Sequence, residues 1–117
     1  MMPRKTISLG WHTVGPYKVR VNYDPKRSGG EFTTHSITIG GASKDWHCVV
    51  AIALHEALEH AYADIQARYV PSYDAAHASD GFLFVANHDQ FSEAVARAAH
   101  FLADVLPEIS RACKACK

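Results

Sequence analysis

The chain has 117 residues, 48% of them hydrophobic, enough for one compact domain with a modest core and little room for a second. Twelve basic residues balance twelve acidic ones, so the composition gives no basic footprint for nucleic acid or an anionic membrane, and neither is expected as a partner. The longest apolar run, residues 48–54, is too short to span a bilayer, and the first ten residues lack the apolar stretch of a secretion signal; the expected location is the cytoplasm.

In chain order, Thr6–Leu9 and Tyr17–Tyr23 read as short strands separated by Gly15 and Pro16, with V-R-V-N-Y alternating as a half-buried strand does. Turn residues crowd Asp24–Gly30, and Glu31–Ile39 follows as a third strand or a hairpin anchored by Phe32, Ile37 and Ile39. Ser43 or Asp45 can cap a long central helix that starts near Lys44 and ends before Pro71. Residues 71–87 read as a loop in which F-L-F-V forms a short strand. A last helix opens at Asn87 or His88 and repeats Phe91, Val95, Ala98, Leu102 and Val105 at helical spacing until Pro107 interrupts it. The expected fold is α+β, a small N-terminal antiparallel sheet with two long helices packed on one face, in a single domain over residues 1–117.

Three cysteines do not make a disulfide framework in a chain without a secretion signal, so reduced thiols are expected. Cys113 and Cys116 form a C-x-x-C near the end, but a zinc knuckle needs a second pair. A frayed helix end accounts for them.

Chemistry is concentrated in A-L-H-E-A-L-E-H, residues 53–60, where ionisable groups enter an apolar helical segment. Burying them is costly unless they have partners. On a helix His55 and Glu59 lie one turn apart on one face, a spacing that reaches a single metal ion. Glu56, about a quarter turn away, can reach a water on that ion, and His60 adds a further imidazole one turn beyond Glu56.

The stretch L-H-E-A-L-E-H resembles the active-site helix of the zincin metallopeptidases, whose signature is H-E-x-x-H. Here Glu59 stands at the second ligand position and the histidine comes one residue later. The chain also resembles small zincin-like proteins of phages and prophages, some of which carry an H-E-x-x-E variant with H-x-x-F downstream, found here as His88-Asp89-Gln90-Phe91. The likeness covers residues 45–106. It implies His55, Glu59 and His88 as metal ligands, Glu56 as the general base, Zn2+ as the cofactor with Mn2+ or Fe2+ as alternatives, and a protein or peptide substrate in the host cytoplasm if the gene is phage-borne.

Other readings stand beside this one. A histidine with two glutamates on a helix also occurs as a solvated charge cluster, and Glu59 can simply pair with a base. His88 competes as third ligand with His60, His77 and His100; it is preferred because it shares a helix side with Phe91, Val95 and Ala99, so that its ring is expected to face the core. His100, near Glu93 and Arg97, suits an interhelical salt bridge. Tyr62 suits core packing, Tyr69 and Tyr73 could line a cleft, and Glu93 could orient His88. Two functions follow: a small metal-dependent peptidase, or a non-catalytic protein-binding or structural module that keeps the fold.

Overall fold

The structure, a computed structural model, describes residues 6–69 and 83–113. Its elements are β1 (Ile7–Val14), β2 (Tyr17–Asp24), β3 (Gly30–Thr33), β4 (Ser36–Gly40), α1 (Trp46–Asp64), β5 (Arg68–Tyr69), β6 (Leu83–Phe84) and α2 (His88–Ala112). The first four strands form one sheet in the order β1-β2-β4-β3, and β5 pairs with β6 in a short ribbon. The fold is α+β, a four-stranded sheet followed by two helices. Residues 70–82, which carry His77 and Tyr73, lie outside the described residues.

The sheet is mixed where an antiparallel one was expected. β1 with β2 and β3 with β4 are antiparallel, but β2 and β4 run parallel, Val21 opposite Ile37 and Tyr23 opposite Ile39. After β2 the chain crosses to the edge, makes β3, and returns through β4 into the gap. The strand whose Ile37 and Ile39 are fully buried thereby takes a central place. The crossing passes over the end of β4, where Gly40 N donates to Gly29 O at 2.8 Å, Gly41 N to Asp24 O at 2.9 Å and Ala42 N to Arg27 O at 3.1 Å. Gly40 has no side chain to hold the crossing loop away; a Cβ there would overlap the carbonyl oxygens of Gly29 and Arg27.

Alternation sorts the two sheet faces. Val19, Val21 and Tyr23 of β2 and Ile37 and Ile39 of β4 point into one core with the helices. Trp11 points the other way, 58% exposed, with the Arg20 guanidinium 5.2 Å from its ring centre. α1 lies over β3 and β4, and α2 over β1. The buried stripe of α1 is mostly small, Val49, Ala53, Ala57 and Ala61, which lets the helix approach the sheet while the large strand residues fill the space between.

Asp45 caps α1, its side chain accepting from His47 N, and Asn87 and Gln90 form a capping box at the start of α2. The helices are antiparallel, since Gln90 Nε2 near the start of α2 donates to Ile65 O just past the end of α1 at 3.4 Å. Two expectations for α2 need correction. Pro107 does not end it; the helix continues to Ala112 because Ile109 and Cys113, buried at 0% and 3% exposure, extend the core stripe past the proline. That burial offsets the lost hydrogen bond. The stripe itself is Ala94, Ala98, Phe101, Val105 and Ile109, rotated from the expected one, and it leaves Phe91 and Val95 53% and 43% exposed. Cys113 is disulfide-bonded, so reduced thiols were expected wrongly there; Cys48 is free and exposed.

Candidate metal centre

α1 is capped at Asp45 and turns its alanine stripe to the sheet, which puts Glu56 and His60 on the buried side and His55 on the outer flank. Glu56 is only 5% exposed, so one carboxylate of the group is withdrawn from solvent. The donor atoms of His55, Glu56 and Glu59 all lie within 4.8 Å of one another. His55 Nε2 pairs closely with a Glu59 carboxylate oxygen, and Glu56 Oε2 is 4.0 Å from the same nitrogen. The side chains of His55 and Glu59 are 64% and 20% exposed. One face is therefore open and one carboxylate is sheltered.

Gly30, the first residue of β3, makes room for that carboxylate. A Cβ there would lie 2.7 Å from Thr38 O and 3.0 Å from both Glu56 Cγ and Ile52 Cγ2. The Glu56 carboxyl is held above its ordinary range, first by burial and next by the Glu59 charge, against the opposing effects of His55 and Arg27. A carboxyl raised in this way binds a proton readily, the property a general base needs near neutrality.

A hollow of about 420 Å³ opens beside the group, lined by Gly29, Gly30, Ala51, Ile52, His55 and Glu56. It adjoins a second hollow of about 460 Å³, which shares Gly29, Ala51 and Ile52 and reaches Arg27, Ser43 and Cys48. The two form one cleft along the first half of α1. β3, at the edge of the sheet among the described residues, borders it through Gly30, and a strand edge can accept an extended chain.

The structure brings together three of the four residues expected at the site. His88 is not among them: it is exposed at the start of α2, beside the end of α1, and Ile65 there lies ten residues beyond His55, about 15 Å along the axis. Its ring was expected to face the core, but the side of α2 it shares with Phe91 and Val95 is the exposed one. His100 pairs with Asp104 on its own helix at 3.5 Å, not across helices, while Glu93 accepts from Arg97 Nε at 2.7 Å. Tyr62 packs against the core, its ring centre 5.3 Å from that of Phe84 at a tilt of 41°. Tyr69 lies in β5.

His60 belongs to a separate hollow of about 250 Å³ lined by Tyr17, Phe32, Thr34, His60, Ala63, Asp64 and Gln66. Its Nε2 donates to Thr34 O at 2.8 Å, and its Nδ1 is buried with no hydrogen-bond partner among the described residues. Close by, the Asp64 carboxylate accepts from Arg97 at 2.7 Å and from the Tyr17 hydroxyl, tying β2, α1 and α2 together. The Arg97 bond holds Asp64 below the ordinary carboxylate range. Arg97 is only 13% exposed, so Arg97→Met is expected to cost about 2 kcal/mol by urea unfolding. The stability Asp64 contributes is present above its unfolded pKa of 3.8 and is lost as pH falls through its lower folded value. The variant should accordingly lose less stability on acidification than the parent, and an equal acid slope in both would refute this account.

No protein-family model, curated protein or solved structure matches the chain. The site therefore rests on its own geometry. The cleft wall of Gly29 and Gly30 had no signal in the sequence beyond a turn, and the burial of Glu56 had only a faint one, its spacing from Val49, Ala53 and His60.

Proposed function

We propose that the chain is a metal-dependent hydrolase of peptides, in which His55 and Glu59 hold a divalent cation and Glu56 takes the proton of the attacking water. The observation that carries this reading is the convergence of one imidazole and two carboxylates within 4.8 Å at the head of an open cleft. The donor set, an imidazole nitrogen and carboxylate oxygens, would suit a cation such as Zn2+, Mn2+ or Fe2+. Such an ion lowers the pKa of a bound water toward neutrality and polarises a carbonyl. Glu56, sheltered and with a raised pKa, accepts the proton and hands it to the departing amine. The edge of β3 offers backbone groups to an extended substrate, which favours a peptide. The resemblance of the helix to the zincin signature agrees with this chemistry.

Zinc titrated calorimetrically into chelator-stripped protein tests the reading. One ion per chain is expected, lost in His55→Ala and Glu59→Ala and unchanged in His88→Ala, with metal-dependent cleavage of a fluorescent casein. Absence of binding, or equal loss in all three variants, would sink it. Zinc bound without cleavage would favour a non-catalytic module, a reading supported by the close His55–Glu59 pair, which also occurs as an ordinary one-turn helix contact.

A further inference from the structure

The hollow of about 250 Å³ around His60 shares no lining residue with the cleft at Glu56, and the proposed hydrolysis makes no use of it. It holds two unexplained features. His60 is 3% exposed and its Nε2 is bonded to Thr34 O, yet its Nδ1 is buried with no hydrogen-bond partner among the described residues. A polar atom buried in this way destabilises the fold, and an occupant of the hollow can supply the missing bond. Gln66 is the second feature. It follows the C-cap of α1 with a φ of 63°, Gln66 N bonding to Ala63 O and Ala67 N to Tyr62 O. Glycine closes a helix in this conformation without strain. The chain instead places there an amide side chain that lines the hollow.

We propose that the hollow is a binding site for a guanidinium group. Charge points to a cation. Asp64 is the one carboxylate among the described residues that line it, and no lysine or arginine does. Arg97 bonds both Asp64 and Glu93 at 2.7 Å, which leaves that trio with one negative charge. A carboxylate accepts about four hydrogen bonds, and Arg97 and the Tyr17 hydroxyl supply two of those to Asp64. The rings select the kind of cation. Those of Tyr17 and Phe32 stand 5.5 and 5.9 Å from that of His60, so the walls are largely aromatic. A planar, weakly hydrated guanidinium lays its faces on such rings and turns its N–H groups toward Asp64 and the Gln66 amide oxygen. A compact ammonium, more strongly hydrated, gains less there. The hollow has room for an organic group rather than a single water.

Methylguanidinium titrated into 15N-labelled protein in the presence of chelator, at fixed ionic strength, tests this independently of any metal. Saturable NMR shifts are expected at residues 17, 32, 34, 60 and 66, with half-saturation on the order of 1 mM, and the His60 Nδ1 resonance should move with them. Butylammonium should bind several-fold more weakly. Gln66→Gly should melt no lower than the parent, because the strain at a φ of 63° is relieved, and should still weaken binding about fivefold. Phe32→Leu should weaken it as well. The peptide acetyl-Ala-Arg-Ala-amide identifies the source: binding tighter than that of methylguanidinium assigns the site to an arginine side chain, and binding no tighter assigns it to a free guanidino compound. Shifts that do not saturate by about 50 mM, or that sodium chloride reproduces, would overturn the proposal. So would equal binding of butylammonium, or an affinity unchanged in Gln66→Gly.

Discussion

Glu56→Gln is expected to lower metal-dependent hydrolysis by a factor on the order of 10² to 10⁴ while zinc still binds, because the amide keeps the shape of the carboxylate but cannot take a proton. The same substitution should stabilise the metal-free protein. Burial and the Glu59 charge raise the folded-state pKa of Glu56 above its unfolded value of 4.5. The folded chain therefore favours the protonated form: its advantage is full below that value and is lost as pH rises through the folded one. Above that window the parent carries a sheltered charge that the amide variant lacks, so the metal-free variant should melt a few degrees higher at neutral pH and with the parent at pH 4. Added zinc should reverse the order by restoring a partner to the carboxylate. Two measurements decide it, casein cleavage and melting temperature with and without zinc, and a variant that cleaves as well as the parent would remove Glu56 from the chemistry. A functional group held at a cost in stability is a familiar trade.

The extent to which this arrangement is legible in the sequence follows the range of the interactions involved. The alternation of Val19, Val21 and Tyr23 is a local pattern and names its strand. Asp45 is a local cap, and the spacing of His55, Glu56 and Glu59 is a property of one helix, so the group follows once the helix is granted. The parallel pairing of β2 with β4 depends on which strand the chain makes first after residue 24, and no residue within either strand records that choice. α2 misleads for a different reason. It has two apolar sides: Phe91 and Val95 lie exposed on one, while Ala94, Ala98, Phe101, Val105 and Ile109 fill the core on the other. The expectation for His88 was built on that wrong side and moved with it.

Gly40→Ala is expected to be among the most damaging single substitutions outside the chemistry, costing about 3 kcal/mol or more and lowering the melting temperature by roughly 10 °C or more. A methyl at Gly40 would overlap the carbonyl oxygens of Gly29 and Arg27, and both belong to backbone that cannot rotate away as a side chain could. Relief requires lifting the crossing loop from the end of β4, which breaks the bonds from Gly40 N to Gly29 O and from Ala42 N to Arg27 O. Each costs on the order of 1 kcal/mol once its groups are left unpaired. Gly29→Ala is the control. Its backbone has a φ of 67° but a Cβ there meets nothing within 4 Å, so only the left-handed conformation is penalised, at about 1 kcal/mol. The same loop carries the Gly29–Gly30 wall of the cleft, and lifting it removes the surface against which Glu56 is sheltered. Gly40→Ala should consequently weaken hydrolysis even at temperatures where it remains folded, whereas Arg97→Met, whose contacts lie at the other end of α1, should not. Equal losses of stability in the two glycine variants would show that the close crossing does not govern this corner of the fold.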